Sequence, residues 1–298
     1  MPVLCLGEAL VDLVCERPVE RLEDAGSFAP AFGGATANVA VVAAREGAGV
    51  ELAGGAGDDP WGRWLRERLA AEGVGLRWFE LVPGAPTPVA FAWVNGAGEP
   101  GFQIYGESLA SVAHAIAGRV ESAVEECSAL FIGSNTLAGP AEREVTMAAR
   151  ERALGLGCPV VLDPNLRLHR WASPAAAAEA SRACVPGALL VRCNRDEARL
   201  LTGEEDPSLA AEALVAAGAG SACVTLGAGG ALLRGAVRAD VPGAPARAVS
   251  AIGAGDTLTG VLLAALASGG FDPQAAASAL PRAVERAARA TERWSAVG

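Results

Sequence analysis

Short apolar or β-branched runs alternate along this chain with stretches of helical periodicity, and that alternation restricts its possible folds more than any other feature. The runs are Val3–Leu6, Val50–Ala53, Ala129–Ile132, Val160–Leu162, Leu189–Cys193 and Ala222–Leu226. Between them lie helical patterns at Ala37–Glu46, Pro60–Glu72, Ala141–Leu156, Pro174–Val185, Asp196–Leu201 and Ser208–Ala217. Strands that alternate with helices predict an α/β fold with a doubly wound, mostly parallel sheet flanked by helices. Ligands of such sheets bind outside the carboxyl ends of the strands. Polar residues and glycines cluster where the runs stop: Gly7-Glu8, Gly133-Ser134-Asn135, Asp163-Pro164-Asn165, Asn194 and Gly227.

Two regions break the alternation. Segments of approximately 9–32 and 86–106 read as antiparallel pieces. Within the second, Pro88–Val94 and Phe102–Tyr105 flank Asn95-Gly96-Ala97-Gly98, a hairpin signal. A small β-sheet inserted in an α/β domain would suit a lid that keeps water from a reacting phosphate, or it is an ordinary edge hairpin. No repeat, low-complexity tract or linker divides residues 1–298, so a single domain is expected. With 51% hydrophobic residues the core is well supplied, and only 5% aromatic residues predict closely packed helices.

Composition removes whole classes of chemistry. The 24 basic residues are all arginine, and the chain has no lysine. A Walker A loop, a protein-kinase catalytic strand, and Schiff-base and pyridoxal chemistry all need one. Codon bias is the plain alternative cause of that absence. The net charge of −10 argues against an extended nucleic-acid footprint. Arg66 and Arg68 are accompanied by Glu67 and Glu72, as on a solvated helix face. The seven cysteines are scattered, with no C-x-x-C pair, and read as reduced thiols of a cytoplasmic protein. No apolar run approaches the ~18 residues of a membrane span.

Gly-Ala-Gly-Asp occurs at 55–58 and again at 253–256. The first copy runs into Asp59-Pro60 and an amphipathic helix, which reads as surface capping. The second opens an almost wholly small or apolar helix, so its N-terminus points inward. Its glycines admit a ligand to the backbone, and its free N–H groups would hold an anion or simply be capped. Asp256 would face that anion, where accepting a proton from an attacking alcohol would give it a task. Gly33-Gly34-Ala35-Thr36-Ala37-Asn38 likewise joins glycines to a helix start, and with Asp12 it could read sugar hydroxyls.

These residues carry a family resemblance along almost the whole chain. Gly33-Gly34-x-x-x-Asn38-x-Ala40 and Gly253-Ala254-Gly255-Asp256 match both signatures of the ribokinase-like (PfkB-type) carbohydrate kinases. Between them lie Asp163-Pro164-Asn165-Leu166-Arg167, Asn194-Arg195-Asp196-Glu197 and Thr225-Leu226-Gly227-x-x-Gly230, in the family's order. The fructokinase and 2-keto-3-deoxygluconate kinase branch is most similar, because DPNLR is followed there by a Trp, here Trp171. The resemblance implies a ribokinase-like fold that phosphorylates a sugar with ATP and Mg²⁺. It makes Asp256 the base and the amides of Gly253, Ala254 and Gly255 the anion hole. Asn194 and Glu197 would organise the metal through water, and Asn194, Thr225, Gly227 and Gly230 would approach the nucleotide. Asp12, Gly33, Gly34, Asn38, Tyr105, Asp163, Asn165 and Arg167 would form the sugar end, with Tyr105 as the lid aromatic.

The sequence also departs from the pattern. Ser250-Ala251-Ile252 stands where many relatives carry an Asp that helps hold a monovalent cation, which puts potassium activation in doubt. Gly106-Glu107 follows Tyr105 where the branch usually has an arginine. Fructose, which has no anionic group, is therefore the first expected substrate. 2-Keto-3-deoxygluconate is second, supported by Arg167. A sugar-binding protein without catalysis is the reading from another class. A dehydrogenase is excluded because no G-x-G-x-x-G follows the first strand. Neither His114 nor His169 reads as catalytic. Relatives often pair through their lids, and the apolar strand PVAFAWV would permit a homodimer here.

Overall fold

The computed structural model describes residues 1–96, 98, 100–105, 113 and 115–293. The expectations for Ala97, Gly106, Glu107 and His114 lie outside these residues. In chain order the strands are β1 Val3–Leu6, β2 Leu10–Cys15, β3 Phe28–Gly33, β4 Val50–Gly57, β5 Phe79–Val82, β6 Val89–Val94 and β7 Pro100–Tyr105. They continue with β8 Ala129–Gly133, β9 Val160–Asp163, β10 Leu190–Asn194, β11 Ser221–Thr225, β12 Ala231–Gly235 and β13 Ala239–Val241. The helices are α1 Ala35–Arg45, α2 Pro60–Ala71, α3 Val120–Glu125, α4 Pro140–Gly155 and α5 Pro174–Arg182. After these come α6 Arg195–Thr202, α7 Pro207–Ala216, α8 Ala254–Ser268 and α9 Pro273–Ala290.

Among the described residues, nine strands form one sheet in the order β13-β12-β11-β10-β9-β8-β1-β4-β5. The sheet is parallel from β11 to β5, while β12 and β13 return antiparallel. The winding starts at β1 and proceeds through β4 on one side and β8 on the other. The strand order therefore reverses between β1 and β8, the crevice where such folds hold ligands. Both faces are covered, and the two-residue period of a strand divides β1 between two cores. Val3 and Cys5 pack with α1, α8 and α9, whereas Leu4 and Leu6 pack with α3, α4 and β9.

Several helices begin with the same device. Asp59, Ser173, Asp206 and Asp272 each accept a backbone N–H at the start of α2, α5, α7 and α9, with proline in the first turn. Helices α1 and α8 start differently, on Gly34 (φ 94°) and Gly253 (φ 74°), with no capping side chain on that residue. Those two starts face the ligand crevice.

The expected strands and helices form, with four additions: β5, α3, the β12–β13 hairpin and the long helix α9. Strand β4 runs to Gly57, beyond the apolar run, because its small residues lie in the sheet rather than in a loop. A Cβ on Gly55 would collide with the Glu80 carbonyl oxygen, so the first Gly-Ala-Gly is a strand crossing, followed by the Asp59 cap. Arg66, Glu67 and Arg68 are exposed, as expected of a solvated face.

The segments that break the alternation supply a separate sheet in the order β3-β2-β6-β7. Both hairpins are antiparallel, but β2 and β6, which join them, run parallel. Each expected piece is antiparallel within itself, and the parallel join between the two is an addition. Between the hairpins the chain passes through α1, β4, α2 and β5, so β6 enters beside β2 in the same direction. No described helix is long and apolar enough to cross a membrane.

Candidate active site

The first turn of α8 sits at the floor of a cavity of about 240 Å³ bounded by the small sheet, α1 and the carboxyl ends of the central strands. The N–H of Thr257 bonds to the Gly253 carbonyl at 2.8 Å, and that of Ala254 reaches the Ala251 carbonyl only at 3.5 Å. The amides at this end remain available to an anion, and the helix dipole favours negative charge there. Gly255 has no room for a side chain: a Cβ would meet both terminal nitrogens of Arg192 at 2.8 Å.

Asp256, in that turn, is buried and ties the crevice together. Its Oδ2 accepts the Asn38 Nδ2 at 2.8 Å and its Oδ1 accepts the Asn165 Nδ2 at 3.0 Å. Burial raises its pKa to about 6, against the lowering effects of the Asn38 bond and of Arg167. Asn165 is one of two non-glycine residues with positive φ (40°) among the described residues, a backbone cost that keeps its amide between Asp256 and Arg167. Its Oδ1 accepts Arg167 Nη1 at 2.6 Å, and the guanidinium carbon of Arg167 stands 5.5 Å from the Phe102 ring centre.

Asp12, on β2, enters the same cavity from the small sheet. Burial and the charge of Asp256 raise its pKa to about 7, with Arg167 opposing. Gly33 is the neighbour that lets it do so, since a Cβ there would collide with the Asp12 carboxylate. Gly34 lines the cavity, and Gly33 stands behind Asp12. Two lining residues had received no role from the motifs. Glu8, directly after β1, accepts the Ala35 N–H at 2.9 Å and the Asn135 Nδ2 at 2.7 Å, and so caps α1 in place of a side chain on Gly34. Asn135 follows β8. The Oδ1 atoms of Asn38 and Asn135 are buried without a hydrogen-bond partner, two acceptors held in a polar cavity.

A second cavity, of about 330 Å³, adjoins the first. Thr225, Gly227 and Gly230 line it with Ala244, Leu258 and Val284, and Arg192, Ala251 and Gly255 line both cavities. Arg192 is the cation at their junction. It pairs with Asp163 at 3.3 Å and donates to Thr225 Oγ1 at 3.0 Å, while its Nε has no partner. An arginine within an apolar strand is a signal in itself, because burying its charge is costly unless something answers it.

Besides Gly33, two expected sugar-end residues are not in the cavity wall. Asp163 is 2% exposed and lies beneath it, bonded to Arg192 and to Thr259 Oγ1 at 2.6 Å. Its position at a strand end resembles that of a lining residue, but its side chain is held between Arg192 on β10 and Thr259 on α8. Tyr105 points away, because the two-residue period of β7 directs Phe102 and Ile104 inward and sends Tyr105 outward onto Phe91, ring centres 5.6 Å apart.

Asn194 and Glu197 form a capping box at the start of α6. Asn194 accepts the Glu197 N–H, and Glu197 Oε2 accepts the Asn194 N–H, both at 2.9 Å. Glu197 Oε1 takes the Leu166 N–H at 2.7 Å. Burial and then the charge of Asp163 raise the Glu197 pKa. With both oxygens already engaged, this pair fits a hydrated cation better than a directly ligated one. No cluster of three or more metal-ligating side chains occurs among the described residues.

The chain is similar to known proteins along most of its length. Its match to Probable fructokinase-7 of Arabidopsis thaliana is 31% identical over 205 residues, covering 69% of this chain but only 60% of the plant protein. The fructokinase of Vibrio cholerae O395, solved with fructose, ADP and a calcium ion, superposes with a TM-score of 0.86 at 27% identity, covering 99% of this chain and 94% of that one. The aminoimidazole riboside kinase of Salmonella enterica, solved with aminoimidazole riboside and an ATP analog, gives 0.84 at 26% identity over 100% and 95%. A model of the pfkB family of carbohydrate kinases matches residues 2–290, and with the ribokinase-like sheet and crevice described above, the chain belongs to that family.

Proposed function

We propose that this protein transfers the γ-phosphoryl group of ATP to a hydroxyl of a neutral sugar, with fructose as the preferred acceptor. The observation that carries this reading is the meeting of two cavities at the first turn of α8, with Asp256 on one side and Arg192 on both. A sugar in the polar cavity would have Asp12, the free Asn38 Oδ1 and the free Asn135 Oδ1 as partners for its hydroxyls. A nucleotide in the second cavity would lie along Thr225, Gly227 and Gly230, its base against Ala244, Val284 and Ala287.

Asp256 acts as the general base. A carboxylate of pKa about 6 is ionised at neutral pH yet more basic than an exposed one, which suits proton transfer from an alcohol. Asn38 and Asn165 hold both its oxygens, so the base is oriented before substrate arrives. The amides of Gly253, Ala254 and Gly255 meet the charge of the transferring group, and Arg192 supports them from the side facing Gly255. Asn194 and Glu197 would hold magnesium through its waters, and the ion would supply charge neutralisation at the phosphates. The small sheet serves as the lid, and its outward aromatic face, with Phe28, Phe91 and Tyr105 stacked edge to face, suits pairing with a second copy.

Purified protein with magnesium and ATP should form ADP in proportion to fructose consumed. Failure with fructose, glucose and 2-keto-3-deoxygluconate alike would overturn the reading. Arg167 beside the cavity favours a second acceptor class, a keto-acid sugar whose carboxylate it could pair. A kcat/KM for 2-keto-3-deoxygluconate above that for fructose would select that class.

A further inference from the structure

Cys127 and Cys158 lie at the amino ends of β8 and β9, at the opposite edge of the sheet from the crevice that follows Gly133 and Asp163. Their sulfurs are 3.6 Å apart. The two strands are hydrogen-bonded neighbours, and Leu130 N–H already bonds to the Pro159 carbonyl at 2.8 Å, so the backbones leading into them are held side by side. Closing that gap to a covalent bond requires side-chain rotation and little main-chain movement. Of the seven cysteines six are buried, and Cys158 is the one that reaches solvent in part. Neither thiol belongs to the crevice, and the phosphoryl-transfer reading leaves both unused.

The geometry points to a reversible disulfide site at Cys127–Cys158, which takes low-molecular-weight disulfides of the glutathione class as its oxidant. The asymmetry of the pair sets the order of events. The hydrogen bond between the thiols holds Cys158 below its ordinary pKa and raises Cys127, so the accessible sulfur is also the better nucleophile. The Cys158 thiolate attacks one sulfur of the small disulfide, whose S–S bond breaks, and one half leaves as a thiolate that takes a proton from water. A mixed disulfide then stands on Cys158. Cys127, buried and 3.6 Å away, loses its proton to water and attacks the Cys158 sulfur, expelling the second half as a thiol. Two protein thiols are oxidised, and one small disulfide is reduced to two thiols. The new bond clamps the lead-in of β8 to that of β9 and closes the loop that carries β8 and α4.

The test incubates the intact protein with oxidised glutathione, then unfolds it in denaturant while blocking free thiols with iodoacetamide, and measures intact mass and non-reducing peptide maps. The expected wild-type product has lost two of its seven alkylatable thiols, carries no glutathione, and links the peptides containing residues 127 and 158. Dithiothreitol should restore all seven. The Cys127→Ser protein should instead accumulate a glutathione adduct on Cys158, because the resolving thiol is gone, and the Cys158→Ser protein should accept none. A wild-type protein that retains every thiol, keeps a stable glutathione adduct, or links a different pair overturns the proposal.

Discussion

The Asn38 side-chain amide donates a 2.8 Å hydrogen bond to Asp256 Oδ2, joining α1 to the first turn of α8 across 218 positions of sequence. Each of the two signature motifs therefore completes the other. Asp256→Asn should lower kcat by roughly 10²–10⁴-fold, the usual worth of a general base. ATP affinity measured by calorimetry should change little. The Asn38 Oδ1 has no partner, so the Asn38 amide can turn to accept from the substituted side chain and the fold tolerates the change. A variant with wild-type turnover would remove Asp256 from the mechanism.

The same carboxylate sets two opposite pH dependences. As the proposed base, with a pKa of about 6, it is lost on protonation, so kcat/KM should fall as pH drops below about 6. For stability the sign reverses. The folded pKa lies above the ordinary value of 3.8, so the folded state binds protons that the unfolded chain has released. Stability from this group therefore declines as pH rises from 3.8 to about 6 and stays low above it. At 1.36 kcal/mol per unit the cost at neutral pH is of order 3 kcal/mol. Asp256→Asn should raise Tm at pH 7 and lose that advantage at pH 4, as thermal melts at both values will show.

Gly33→Ala and Gly255→Ala add the same methyl on opposite sides of the crevice and should separate by substrate. The first pushes directly on the Asp12 carboxylate and should raise the KM for sugar while leaving that for ATP nearly unchanged. The second drives into Arg192 at 2.8 Å and should lower kcat at least tenfold, by displacing the cation beside the anion hole. Steady-state kinetics with each substrate varied in turn will distinguish them.

Arg192 carries a structural load and, in the proposed mechanism, a catalytic one. Arg192→Gln leaves Asp163 buried without its partner, a loss of about 3–5 kcal/mol by the usual cost of breaking a buried pair. Arg192→Lys keeps the charge but not the fork that reaches both Asp163 and Thr225. The lysine variant should melt close to wild type and still turn over at least tenfold more slowly. A denaturation curve and kcat on the same preparation check both halves.

Activity should be equal in sodium and potassium buffers. Ser250 is 1% exposed and its Oγ already accepts the Ile252 N–H, and no carboxylate occupies that position to hold a monovalent ion. A potassium-dependent rise in kcat would show that other groups supply the site.

The alternation of apolar runs with helical periods was enough to predict the parallel sheet, because a sheet buried on both faces needs strands that are apolar throughout. The glycine-led start of α8 was equally legible, since a helix of almost wholly small or apolar residues packs inside the protein and starts there. The small sheet was half legible: its hairpins follow from local turn chemistry, but the parallel β2–β6 pairing depends on where β4, α2 and β5 deliver the chain. Side-chain direction was harder. Tyr105 and Asp163 sit in motifs that predict cavity residues, yet strand phase turns the first outward and an ion pair with Arg192 draws the second beneath the floor.

Sequence alone determined the fold class and the strand ends where chemistry could gather, and it is the source of the proposed phosphate site that needs no lysine. Those follow from local pattern, because periodicity, capping and glycine freedom act over a few residues at a time. Tertiary structure alone decided that Glu8 caps α1, that Arg192 joins the two cavities, and that Asp256 is held by Asn38 and Asn165. Each of these pairs residues that are far apart in the chain and meet only after the sheet is wound. Burial supplies the rest, because a carboxylate becomes a base near neutrality only when the packed protein has taken its water away.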